Sequence, residues 1–159
     1  MSESIVTEET FVLPIANLEA ETATEESHIY TTADAEMLAR LLYGEARGVA
    51  SETERAAVVW CVLNRVDSDE FPDTISGVVL QAYQFGGYSS TAPIDSALLA
   101  LAEDVLARWE TEKKTGEDAG RVLPKEYTYF SGDGSRNHFR DAYIGGTKWD
   151  WSLPTPYTS

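Results

Sequence analysis

Apolar positions recur at helical spacing in four stretches of the chain. In the first, residues 33–47, Leu38, Leu41, Leu42 and Glu45 stand at i, i+3, i+4 and i+7, which share one face of a helix. Thr32 or Asp34 is placed to cap its start and Gly48 to end it. A carboxylate thus takes a place in an apolar stripe, the main anomaly of the pattern. The second stretch opens at Ser51, which has capping-box spacing to Glu54, and runs through Ala56-Ala57-Val58-Val59-Trp60-Cys61-Val62-Leu63 to about Arg65. A segment apolar on every side is normally buried on every side, so this helix is expected at the centre. Its β-branched residues would also suit a buried strand, but the cap and the length favour helix. A short helix is expected over 74–81, after Phe71-Pro72-Asp73, and a long one over 95–113 with Leu98, Leu101, Ala102, Val105, Leu106 and Trp109 as its apolar face. Beyond a polar loop at 115–120, Tyr127, Tyr129, Phe130, Phe139 and Tyr143 lie around Gly132-Asp133-Gly134 and Gly145-Gly146, the mark of short extended segments and tight turns. The pattern predicts a mainly α (α+β) fold with a small β or loop-rich C-terminal region.

Composition narrows the class. A length of 159 residues suits one domain, and 43% hydrophobic with 11% aromatic residues can fill a core, which excludes a wholly disordered chain. The net charge of −15 argues against a general nucleic-acid binder. The longest apolar run, 56–63, is far short of a membrane span. The single cysteine, Cys61, cannot form an internal disulfide. Residues 1–39 hold nine acids and no Lys or Arg. Residues 1–30 are therefore expected to be an acidic tail, poorly ordered or draped on a domain formed by 31–159, and the chain is expected to be a monomer. The basic-then-apolar pattern of a secretory signal is not visible, so delivery is expected through a leader outside this sequence or by another route such as phage-type release.

Most catalytic chemistries lack their residues. The two histidines are His28, in the tail, and His138. Cys61 sits mid-helix among apolar residues, where a thiol is inert packing, and neither a Ser-His nor a Cys-His set is apparent. Two histidines and one cysteine do not make a zinc site, no phosphate-cradling loop is present, and no metal or organic cofactor is expected. Asp133, Ser135 and Asn137 have the spacing of half a calcium loop, but Ile144 stands at the twelfth position, which favours a polar turn. Carboxylate chemistry remains, centred on Glu45. A carboxylate in an apolar face holds its proton more tightly and can act as a general acid. Equally, Glu45 can end its helix near a groove and pair with Arg47 or Arg65.

The segment Leu38-Ala39-Arg40-Leu41-Leu42-Tyr43-Gly44-Glu45-Ala46-Arg47-Gly48 resembles the opening motif of the SleB-type cell wall hydrolases. The likeness continues through Ala57-Val58-Val59, Val62-Leu63-Asn64-Arg65-Val66, Glu70-Phe71-Pro72-Asp73-Thr74-Ile75, Gly77-Val78-Val79 and Gln84-Phe85. Tyr127-Thr128-Tyr129-Phe130 and Asn137-His138-Phe139 resemble later motifs of the family, here set closer together, and Val49 stands where the family often has an acid. The resemblance implies a lysozyme-like helical domain that cleaves the β-1,4 bond between N-acetylmuramic acid and N-acetylglucosamine in peptidoglycan. It implies one essential glutamate, Glu45, which protonates the glycosidic oxygen and then takes the proton of the muramic C6 hydroxyl. Such transglycosylation works with one carboxylate because the nucleophile belongs to the substrate, whereas hydrolysis usually uses two. Asp67, Asp69, Asp73 and Asp133 are candidate second acids, read as solvated loop residues.

Sugars offer C–H faces for stacking and hydroxyls for hydrogen bonds, so Gln84, Phe85, Tyr129, Phe130, Asn137 and His138 are the groove candidates. Core packing is as good a reading for Phe85 and Phe130, and the better one for Trp149 and Trp151. The competing function is a non-catalytic peptidoglycan-binding module on the same fold.

Overall fold

Helix α1, Thr32–Ala46, begins where Thr31 accepts a hydrogen bond from the Asp34 N–H and the Asp34 carboxylate returns one from the Thr31 N–H. The cap is thus one residue earlier than the sequence pattern placed it. The computed structural model describes residues 28–81 and 86–159. Of the expected tail, residues 1–27 lie outside the described residues. Its last three are seated on the domain: His28 Nδ1 lies 2.8 Å from Glu110 Oε1, the Ile29 N–H donates to Glu110 Oε2 at 2.7 Å, and Tyr30 stacks on His28.

Helix α2, Glu52–Val66, is the central element, with every residue from Ala56 to Arg65 buried. It packs against α1, against the short α3, Ile75–Val79, and against the long α4, Ser96–Thr115. Helix α3 is shorter than its apolar pattern, with Thr74 capping it and Leu80, largely exposed, ending it. Helix α4 starts on the Asp95 carboxylate and stops at Gly116, whose φ of +76° is the left-handed cap that glycine adopts without a Cβ clash. Leu98, Leu101, Ala102, Val105, Leu106 and Trp109 form its buried face as expected.

The C-terminal region adds one antiparallel hairpin, β1 Tyr129–Gly132 and β2 Asn137–Arg140. Tyr129 pairs with Arg140, Phe130 with Phe139, Ser131 with His138 and Gly132 with Asn137. The fold is α+β, mainly helical. Trp149 and Trp151 belong to its packing: Trp149 is buried against Tyr127, and Trp151 meets Phe139 edge-on at 5.6 Å.

Candidate active site

Leu38, Leu41 and Leu42 are fully buried, but Glu45, the fourth member of that stripe, is half-buried. Helix α1 ends one residue later, so the carboxylate stands at the rim of the core and not inside it. Its Oε2 accepts the Gly87 N–H at 2.6 Å, and among the described residues its Oε1 accepts no hydrogen bond. The two backbones touch here. A methyl group at Gly44 would overlap the Gly87 carbonyl, and one at Gly87 would lie 2.9 Å from the Glu45 carboxyl. The arginines offered as partners are engaged elsewhere. Arg47 lies 4.2 Å from the centre of the Tyr43 ring, and Arg65 donates to the Thr128 carbonyl at 2.6 Å between the rings of Phe71 and Tyr129.

Just past α1, Gly48 approaches the tip of the hairpin so closely that a Cβ there would strike the Gly134 carbonyl. Gly48 serves this approach and has no left-handed φ. The end of α1 therefore contacts the Gly87 loop at one point and the hairpin tip at another.

The hairpin carries a cavity of about 320 Å³ lined by Arg65, Tyr129, Phe130, Ser131, His138, Arg140, Ala142 and Tyr143. Three groove candidates, Tyr129, Phe130 and His138, are thus brought together. Glu45 is not part of this lining. Phe130 lines this cavity and also packs on the core, stacking on Phe139 at 5.5 Å. Asn137 differs: the pleat turns it inward, where it is 1% exposed, and among the described residues its amide Oδ1 and Nδ2 make no hydrogen bond. Gln84 and Phe85 lie outside the described residues.

Several residues act differently from the sequence expectation. Ser51 caps α2 through the Glu54 N–H, but the Glu54 carboxylate is not returned to Ser51. It accepts instead from Arg136 Nε at 2.8 Å and from the Asn137 N–H at 3.1 Å, which ties the hairpin to the start of α2. At the other end, Asn64 donates to the carbonyls of Pro124 and Tyr127, and Arg65 to Thr128. Sequence reasoning missed these anchors, although buried polar residues at the ends of an otherwise apolar helix are their signal. Asp67 is exposed as expected but not unpartnered, since it accepts from Trp109 Nε1 at 2.9 Å and pairs with Lys113 at 2.7 Å. Asp133 is a turn residue. The N–H groups of Ser135 and Arg136 bond its carboxylate and hold it below the usual range. Cys61 is fully buried, which pushes its thiol up to about 12 and leaves it inert.

The model of the cell wall hydrolase family matches residues 50–143, a span that begins just beyond Glu45 and contains the hairpin and its cavity. The chain is 43% identical over 85 residues to a spore cortex-lytic enzyme of Oceanobacillus iheyensis, covering 51% of this chain and 30% of that protein. To the spore cortex-lytic enzyme of Bacillus cereus it is 30% identical over 126 residues, covering 79% and 41%. To that of Halalkalibacterium halodurans it is 27% identical over 125 residues, covering 79% and 32%. The chain thus spans well under half the length of these relatives. The crystal structure of the catalytic domain of the Bacillus cereus SleB protein aligns over 79% of this chain and 83% of that chain, with 24% identity and a TM-score of 0.48.

Proposed function

Because this chain belongs to the cell wall hydrolase family, we propose that it cleaves the glycan strands of peptidoglycan with Glu45 as its acid and base. The supporting observation is the setting of that carboxylate: it is half-buried at the rim of the core, Oε2 is fixed by the Gly87 N–H, and among the described residues Oε1 accepts no hydrogen bond. A carboxylic acid held this way gives its proton to the glycosidic oxygen between N-acetylmuramic acid and N-acetylglucosamine. As the bond breaks, positive charge develops on the muramic ring. The C6 hydroxyl of the same sugar then attacks C1 and passes its proton to the Glu45 carboxylate, leaving a 1,6-anhydro end. Tyr129, Phe130 and His138, and with them Gln84 and Phe85, are assigned to sugar contacts. Asn137 is assigned to shaping the hairpin from within.

Mass spectrometry of digested peptidoglycan tests this. Products ending in 1,6-anhydro-muramic acid are expected. Reducing muramic ends would replace the intramolecular step with attack by water. Binding without any soluble product would make the domain a wall-binding module.

Two further outcomes follow from the same reading. Gly44→Ala is expected to keep the fold but lower cleavage about a hundredfold, because the Gly87 carbonyl must retreat and take its N–H away from Glu45. Release of soluble muropeptides, compared with a circular-dichroism melt, checks this; unchanged turnover would show that the Gly87 contact is dispensable. Deleting residues 1–27 removes seven acids and no Lys or Arg, and leaves the contacts of His28 and Ile29 in place. The shortened chain should cleave normally and bind anionic walls more tightly at low salt, with the gap closing as salt screens the charge. A pull-down on purified walls across a salt series reads the difference, and equal binding at low salt refutes it.

A further inference from the structure

The cavity on the hairpin is charged in the opposite sense to the chain. The sequence holds 27 acids against 12 Lys and Arg, yet the cavity lining contains two arginines, a histidine and no carboxylate. We propose that this cavity is a carboxylate subsite, which takes an acidic substituent carried by the glycan strand that these residues contact. The proposal rests on the peptidoglycan reading above.

The residues divide the work. Arg65 is 2% exposed, and its guanidinium is held by the Thr128 carbonyl and by ring faces centred 4.6 Å (Phe71) and 5.2 Å (Tyr129) away. A cation so removed from water projects a strong field into the cavity it lines. Arg140 is exposed, and the one hydrogen bond of its guanidinium among the described residues is a 3.4 Å contact from Nη1 to the Gly145 carbonyl. Its planar fork is therefore open for a carboxylate, the anion that guanidinium geometry matches. Ser131 and His138 face each other across the strand pair and add hydroxyl and ring N–H donors on the same wall. Tyr129 and Tyr143, with ring centres 5.8 Å apart, supply apolar surface for the carbon skeleton that bears the acid. Two sources on a glycan strand present this chemistry: the lactyl carboxylate of muramic acid without a peptide, and the terminal carboxylate of a stem peptide.

The test measures binding, so it is independent of cleavage. The full chain carrying Glu45→Gln is titrated calorimetrically with defined glycan oligomers. One pair has the lactyl group as free acid or as amide, and a second pair has stem peptides with free or amidated ends. In at least one pair the acid is expected to bind about tenfold tighter than its amide at low ionic strength, and that pair names the source. Arg140→Gln should erase the difference, Arg140→Lys should retain part of it, and Lys125→Gln, an exposed cation outside the cavity, should leave it intact. His138→Gln provides a second lesion should Arg140→Gln alter the fold. Equal binding of acid and amide in both pairs overturns the proposal, as does an Arg140→Gln effect that weakens both forms alike. If Glu45→Gln still cleaves, the catalytic assignment fails, and the acid-to-amide ratio is read from KM instead.

Discussion

Exchanging Glu45 for Gln should slow release of muropeptides from purified peptidoglycan by about a thousandfold or more. The substitution is nearly isosteric, and the amide oxygen of Gln can still accept the Gly87 N–H that now meets Oε2 at 2.6 Å. What it removes is the proton, which an amide can neither give to a glycosidic oxygen nor take back from a hydroxyl. The helix around it should not suffer, because Glu45 is half-buried and belongs to no ion pair among the described residues. The melting temperature is therefore expected to stay within about 2 °C of the parent, a shift of well under 1 kcal/mol. Glu45→Asp makes the complementary point. It keeps the acid but draws the carboxyl back by one methylene from both Gly87 and the substrate, and misplacement on that scale is expected to cost about a hundredfold. Cleavage that persists unchanged in Glu45→Gln would remove Glu45 from the mechanism.

The largest effect on stability is expected at Arg121. Its guanidinium bonds both oxygens of Glu112, at 2.6 and 3.1 Å, the Asn64 side-chain oxygen at 2.6 Å and the Leu123 carbonyl at 3.0 Å, while lying 4.4 Å from the centre of the Trp60 ring. Truncation to Ala leaves the Glu112 carboxylate, only 11% exposed, without its cation. It also strips Asn64 of the partner that orients its amide toward Pro124 and Tyr127. Breaking a buried pair on one side typically costs about 3–5 kcal/mol, because the surviving charge is stranded. Arg121→Ala should therefore lower the melting temperature by about 10 °C or more. Chemical denaturation provides the free energy directly, and a loss below about 1 kcal/mol would mean that water replaces the arginine without penalty.

The helices were legible because burial imposes a spacing that the sequence must carry. Leu38, Leu41 and Leu42 on α1 and the six apolar positions of α4 all face the core as their periodicity requires. The turn at Asp133 was legible for a similar reason, since its contacts lie within three residues. Contacts between distant segments left no such trace. Ser51 and Glu54 have the spacing of a capping box, yet a carboxylate at that position can equally reach a strand, and Glu54 reaches Arg136 and Asn137. The stripe position of Glu45 predicted burial, but periodicity does not say where the core stops along a helix. Nor could spacing reveal that Tyr129, Phe130 and His138 share a cavity with Arg65 and Arg140, because that depends on strand register and on what packs behind it.

Glu54 and Arg65 stand eleven positions apart on α2, three turns of helix and therefore almost the same side. Through Arg136 and Asn137 at one end and Thr128 at the other, they grip the two ends of a single excursion of the chain. Helix α2 thus works as a ruler for the hairpin, and its length is as much constrained as its composition. A residue inserted between these two positions would swing one grip by about 100° around the axis and lengthen the span by about 1.5 Å, so that both could not hold at once. A residue inserted in the exposed turn after α4 has the Glu112–Arg121 pair across it to restore, which loop backbone can do by rearranging in a way that a helix cannot. Tolerance to length change in this domain should follow that division, with its connections elastic and its central helix fixed in residue count.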